Sequence, residues 1–402
     1  MTYNGLYDWQ KDAVDRLHNG AILYGPVGSG KSLTSLTYYM KVALQKHLYI
    51  ITTAKKRDTK DWERDTEFLR IKNVTVDSWN NISKYTDVRD GFFIFDEQRA
   101  VGYGKWSKSL IHLATWNKWI MLSGTPGDTW SDYIPVFVAN GFYKNKTEFI
   151  NEHVEFDRFA KYPKIKAYHN QTKLIELRKA VLVPMEMPKR TIRHKIEKVT
   201  KYDKELYDHV KKERYNPYTD APIQNPSEYT QVCRRIVAES ADRVKEVEEL
   251  IRAIPRAIIF YNYNYERQIL LNICERQKKP YAEWTGHKHQ QIPEARKWIY
   301  VVQYTAGAEG WNCTDTDTII FYSPNYSYKM MEQAEGRVDR LNTPYTDLYY
   351  YMMKSDSPID KAVYSSITRK KRFNALSWGK KANHAREQIP SRIEKRYSQD
   401  VS

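Results

Sequence analysis

The sequence predicts an α/β protein: two doubly wound parallel-sheet domains in tandem, with a helical insertion between the cores. Three observations carry this expectation. Short apolar runs alternate with stretches of helical period in two separate series, one ending near residue 124 and one beginning near 256. The first run of the first series opens into GPVGSGKS (25–32), a glycine-rich turn in the strand–loop–helix setting of a phosphate-binding loop. A chain of 402 residues also exceeds one ordinary core, so two or so domains are expected.

The elements follow in chain order. AILYG (21–25), HLYIITTA (47–54), VTVDS (74–78), FFIFD (92–96) and WIMLSG (119–124) are short, rich in β-branched or aromatic residues, and bounded by turn or polar residues. They read as buried parallel strands. KSLTSLTYYMKVALQK (31–46) and TKDWERDTEFLR (59–70) read as the helices between them. Residues 127–250 are more helical and punctuated by proline, show no strong strand series, and include a loop at NPYTDAPIQNP (216–226). RAIIFYN (256–262), KWIYVVQYT (297–305) and DTIIFYSP (317–324) begin the second strand series. Its helices are YERQILLNICERQ (265–277) and YKMMEQAEGRVDRL (328–341). The expected division is a first domain over 1–185 with a helical extension from about 127, a linker and helical region over 186–250, a second domain over 251–368, and a basic tail over 369–402.

Composition narrows the partners. Apolar residues make up 41% and charged residues 28%, which suits a globular chain. No apolar run approaches the ~18–20 residues of a membrane span, and MTYNGLYDWQ lacks the basic and apolar regions of a signal peptide. No membrane partner is expected, and the expected location is the cytoplasm. Three scattered cysteines, Cys233, Cys274 and Cys313, form neither a disulfide framework nor a zinc spacing. Lys and Arg number 65 against 49 Asp and Glu, a net charge of +16. That excess points to a polyanion, with nucleic acid first and an acidic membrane surface second. Residues 369–402 hold ten Lys/Arg against three acids, nearly half of the excess.

The glycine-rich turn carries the chemistry. Gly25, Gly28, Ser29 and Gly30 let backbone N–H groups face phosphate oxygens, and the helix that follows adds its dipole. Lys31 can reach the β- and γ-phosphates, and the Ser32 hydroxyl can ligate Mg²⁺. Such a loop works with a carboxylate at the end of a nearby strand. FFIFDE supplies it: Asp96 is expected to hold Mg²⁺ through water, and Glu97 to polarise the attacking water. The residues alone predict a nucleotide hydrolase that uses Mg²⁺.

Taken in order, the motifs resemble superfamily 2 helicases and translocases, most of all the Swi/Snf-type DNA-dependent ATPases, over about residues 5–345. LYDWQKDAV (6–14) resembles the opening glutamine motif, which places Gln10 at the adenine. ITTAKKRDTKDWERDTEF (51–68) resembles the motif that contacts the nucleic-acid backbone, through Lys55, Lys56 and Arg57. DEQR (96–99) stands where the family has DEAH or a relative, with Arg99 in place of a frequent histidine. MLSGTPGDTWSDY (121–133) resembles the S-G-T-P motif, in which Ser123 and Thr125 couple nucleotide state to nucleic-acid binding. PKRTIRHKIEKVTKYDKELYDHV (188–210) resembles the crossing into the second half. YTAGAEGWNCTDTDTIIFYSPNYS (304–327) is similar to motif five, with Gly310 a coupling residue and Thr305, Trp311 and Asn312 at the nucleic acid. QAEGRVDRL (333–341) matches Q-x-x-G-R-x-x-R, the pattern of motif six.

The resemblance implies two RecA-like domains with ATP between them. Lys31, Asp96 and Glu97 would face Gln333, Arg337 and Arg340, two arginines expected on one face of a helix. It implies movement on duplex, forked or branched DNA, single strands included, in company with replication proteins. The compactness of the chain points to a phage or other mobile-element origin. Trp79, Trp284, Trp311 and the tyrosines at 261–265 offer rings for base stacking, with core packing the role of most aromatics here. An RNA helicase, an ATP-gated loader or scaffold, and a packaging motor are the competing readings. S-G-T-P and the long middle region favour DNA over RNA, and intact Glu97 and Arg337 disfavour a scaffold.

Overall fold

The structure, a computed structural model, describes residues 5–26, 28–97, 103–159, 162–188, 190–307, 313–340 and 342–375. Two compact units divide it, the first through Glu186 and the second from Met187 to Arg369 in their main bodies.

The first unit contains β1 (Ile22–Tyr24), β2 (Leu48–Thr52), β3 (Val74–Ser78), β4 (Phe92–Phe95), β5 (Lys118–Ser123), a hairpin of β6 (Val154–Phe156) and β7 (Ile165–Tyr168), and β8 (Leu182–Pro184). Six of these form one parallel sheet in the order β3-β2-β4-β5-β1-β8. Successive residues in a strand point to opposite faces, and both faces are covered. Ile22, Phe93, Phe95 and Met121 enter one apolar cluster, while Leu23, Phe92, Ile94, Ile120 and Leu122 enter another. Double coverage is why these strands read as unbroken apolar runs.

The second unit repeats the plan. It contains β9 (Ile192–Val199), a short pair of β10 (Tyr215–Asn216) and β11 (Ala221–Pro222), then β12 (Arg256–Tyr261), β13 (Tyr281–Trp284), β14 (Trp298–Gln303), β15 (Thr318–Phe321) and β16 (Asp347–Lys354). Its parallel sheet runs β13-β14-β12-β15-β16-β9. Ala257, Ile259 and Tyr261 pack on one face and Ile258 and Phe260 on the other. Two doubly wound α/β units in tandem are therefore the architecture.

The middle of the chain departs from the expectation. Residues 127–250 do hold helices, but they also supply the β6–β7 hairpin, the short β10–β11 pair at the start of the stretch expected as a loop, and two edge strands, β8 and β9. Strand β9, IRHKIEKV, reads as polar because it pairs on one side only, and charge along an edge protects it from pairing with another chain. Among the described residues no helix is long and apolar enough to cross a membrane.

Candidate nucleotide site

Strand β1 delivers the chain into the phosphate loop. The Gly25 N–H donates to the Ser123 carbonyl, 3.3 Å away, which ties the loop's start to the end of β5. Gly28 and Gly30 have φ of +86° and +80°, a region that only glycine enters without strain. At Gly30 a Cβ would also lie 2.1 Å from Nε2 of Gln10. Gln10 is buried in the first turn of α1 (Asp8–Arg16), and its Oε1 accepts the Tyr7 N–H at 2.9 Å. The opening glutamine and the phosphate loop are thus in van der Waals register.

Helix α2 (Lys31–Ala43) starts directly after Gly30, with no side-chain cap and no acid in its first turn. Such a helix start presents its positive dipole end, the kind of terminus that favours an anion. Lys31 Nζ donates to the Gly25 carbonyl at 2.8 Å, arching back over the loop. Ser29 is fully buried and Ser32 half-buried in the first turn of α2.

The two acids leave the same edge of the sheet. Phe95 is level with Met121, and Met121 with Ile22, so Asp96 and Glu97 leave the sheet at the height of Leu23 and Tyr24, just before Gly25. Strand β5 lies between β1 and β4 and sets them two strand spacings apart, about 10 Å. Asp96 is only 3% exposed. Its Oδ2 accepts from Thr52 Oγ1 at 2.8 Å, Lys56 Nζ at 2.9 Å and Trp62 Nε1 at 2.9 Å. Trp79 Nε1 donates to its carbonyl at 2.9 Å. Burying this carboxylate is tolerable because a cation and two neutral donors hold it. Glu97 follows in the left-handed region, at φ +59°. A non-glycine residue held there is strained, and such strain gathers at functional sites.

The S-G-T-P segment closes the edge. Ser123 Oγ accepts the Thr125 N–H at 3.1 Å. The Thr125 hydroxyl is buried with no hydrogen-bond partner among the described residues.

In the second unit Gln333 and Arg337 are buried and Arg340 half-buried. The helix expected over 328–341 ends at Glu335, so the two arginines do not share a helical face. Gly336 ends it in a tight turn, in which the Arg337 N–H donates to Ala334 O at 3.1 Å. The Arg337 carbonyl then accepts the Cys313 N–H at 3.1 Å. Burial pulls the Arg340 guanidinium down to about 10, Asp339 opposing, and its Nε has no hydrogen-bond partner among the described residues. A partly buried cation whose Nε lacks an acceptor is suited to an anionic ligand.

Side chains from β9 anchor this turn, a role the sequence did not reveal. Arg193 Nε donates to Asp339 Oδ2 at 2.7 Å and its Nη1 to Glu335 Oε2 at 3.0 Å. Lys195 reaches Glu335 Oε1 at 2.5 Å, and Thr191 reaches Asp339 Oδ1 at 2.7 Å. The surrounding carboxylates raise the Arg193 guanidinium above its ordinary value against the pull of burial. Arg193→Met strips the cation from two largely buried acids. It is expected to destabilise the second unit by about 3 kcal/mol, measured as a shift in its urea unfolding midpoint.

No model of a known protein family matches the chain, and no curated protein matches it. Among solved structures similar to it is the Sulfolobus solfataricus SWI2/SNF2 ATPase core in complex with dsDNA, with a TM-score of 0.41 and 15% identity, over 93% of this chain and 94% of that one.

The residues expected at nucleic acid fare unevenly. Lys55, Lys56 and Arg57 lie on α3 (Ala54–Asp58), but the Lys56 ammonium is on Asp96 and Arg57 pairs with Asp58 at 2.7 Å and Asp77 at 3.5 Å. Thr305 is exposed on the short helix Tyr304–Gly307. Trp79 is a core residue, stacked on Phe95, and is not placed to meet bases. Trp284 is half-buried, stacked on His289 at 4.4 Å, with its Nε1 on the Ala306 carbonyl at 2.9 Å. Arg99, Gly310, Trp311 and Asn312 lie outside the described residues, as does the tail beyond 375.

Proposed function

We propose that the chain is an ATP-driven motor on DNA: it hydrolyses ATP and uses the cycle to move along, and remodel or unwind, duplex, forked or branched DNA. The observation that supports this best is the carboxyl edge of the first sheet. There a glycine-built phosphate loop, an uncapped helix start, Lys31, a buried Asp96 and a strained Glu97 lie along three neighbouring strand ends. That is where open α/β sheets bind their ligands.

The residues fit ATP with Mg²⁺. The loop N–H groups, Lys31 and the start of α2 would hold the phosphates, and Gln10, in register with the loop, would sit toward the base. Ser32 and Asp96 would hold Mg²⁺, which supplies charge neutralisation on the phosphates. Few protein ligands are needed, because Mg²⁺ keeps waters and takes phosphate oxygens. Three donors on Asp96 Oδ2 orient the carboxylate and leave Oδ1 to serve a metal-bound water. Glu97 orients and polarises the attacking water. Gln333, Arg337 and Arg340 are assigned to the charge that develops on the transferring phosphoryl group, where an arginine is worth about 10³–10⁵ in rate. The net charge of +16 and the S-G-T-P segment favour DNA as the track.

The test is ATP turnover with no polymer, single-stranded DNA, blunt duplex, forked duplex and RNA. Stimulation by duplex or forked DNA is expected. Stimulation by RNA alone would overturn the DNA assignment, and turnover indifferent to every polymer would overturn the motor.

A further inference from the structure

The hairpin β6–β7 stands apart in its surface chemistry. Four of the ten exposed large apolar side chains among the described residues fall within residues 156–165: Phe156, Phe159, Tyr162 and Ile165. Phe159 is 100% exposed and Tyr162 74%. Exposed aromatics gathered on one short element mark an interaction site rather than scatter.

Its base is tied into the first unit by hydrogen bonds. Tyr168 OH bonds Ser131 Oγ at 2.7 Å, and the His169 N–H donates to the His153 carbonyl at 2.8 Å. The buried His153 ring bonds Tyr143 OH at 2.7 Å and the His169 carbonyl at 3.0 Å. Further out, the Asp157 N–H donates to the Lys164 carbonyl at 2.7 Å, and Asp157 Oδ1 accepts the Phe159 N–H at 3.0 Å. Ser131 belongs to the segment that runs on from Ser123 and Thr125 at the candidate site. The hairpin base is therefore bonded to the segment that leaves the candidate site, six residues after Thr125.

Charge selects the occupant. Residues 155–166 hold four Lys/Arg against two acids. Glu155 is already engaged by Lys166 at 2.6 Å and His169 at 3.3 Å, and Asp157 by the Phe159 backbone. Arg158 and Lys164, both exposed, dominate the field around the rings. Flat aromatic faces between cations match unpaired bases between phosphates.

We propose, on the DNA-motor reading, that this hairpin is a second nucleic-acid element that takes unpaired bases at a single-strand–duplex junction. Phe159 and Tyr162 stack on the bases, and Arg158 and Lys164 hold the flanking phosphates. The hairpin gives the motor a preference for forks and a means of keeping parted strands apart.

The test compares the full chain with F159A/Y162A, R158A/K164A and F159W. The readouts are fluorescence anisotropy on forked and blunt duplexes of equal length, strands separated per ATP hydrolysed, and melting temperature. Both rings are exposed, so the melting temperature should hold. F159A/Y162A is expected to lower fork affinity by about 30-fold or more, the loss that goes with removing two stacked rings at about 5-fold or more each. It should also lower strands separated per ATP, and F159W should retain both. R158A/K164A should flatten the salt dependence of fork binding by about one unit of slope or more. If wild type responds to DNA but F159A/Y162A keeps full fork preference, this inference falls and the motor reading stands. If no DNA stimulates wild type, both fall. If F159A/Y162A instead loses binding to vesicles of anionic lipid with its fork preference intact, the hairpin is a membrane element and the inference is overturned.

Discussion

Lys31→Ala is expected to lower ATP turnover by about 10²–10³-fold, the cost of removing one charge-stabilising donor from a phosphoryl-transfer site. Fluorescent-nucleotide binding should weaken with it, because the ammonium is the loop's one mobile charge. The fold should survive. In the structure Nζ donates to the neutral Gly25 carbonyl at 2.8 Å, and a hydrogen bond of that kind contributes about 1 kcal/mol net. Turnover and circular dichroism on the same preparation separate the two effects. A variant that hydrolyses ATP at the parental rate would show that the glycine loop is not a phosphate site, whatever its shape.

Much of this was legible in the sequence because local rules carried it. FFIF and IIFY read as strands because both sheet faces are buried and nothing polar interrupts the run. GPVGSGKS is a local object, since its glycines, lysine and helix start are all neighbours in sequence. What stayed hidden is held by pairs far apart. Lys56 and Asp96 are 40 residues apart, and Arg193 and Glu335 are 142 apart. From sequence, Lys56 joins a basic cluster fit for a polyanion; in the fold its charge is turned inward onto a buried acid. Strand β9 escaped because its residues serve the turn after residue 335 more than any core, so it lacks the apolar signal of the other strands. Arg337 and Arg340 sit beyond a helix end because Gly336 breaks the period that the spacing suggested. One weak signal for the anchor was present: Arg193 and Lys195 are two apart, hence on one face of an extended segment.

Glu97 offers the sharpest division between chemistry and stability. Glu97→Gln keeps size and backbone but loses the negative charge that polarises water. Turnover should fall by about 10²–10⁴-fold, the range for a positioned general base, while nucleotide binding stays close to parental. Glu97→Gly should lose turnover just as fully, yet move stability the other way. At φ +59° an L side chain costs roughly 1–2 kcal/mol, and glycine does not incur that cost. Set against the extra unfolded-state freedom of glycine, about 0.5–1 kcal/mol, a gain of up to about 1.5 kcal/mol remains. Urea unfolding of the two variants beside wild type measures it. An inactive chain that is more stable than its parent would mean that the strain at Glu97 is maintained for the reaction. A Gly variant less stable than wild type would mean that contacts of the glutamate side chain hold the turn in place, and the catalytic assignment of the strain would fail.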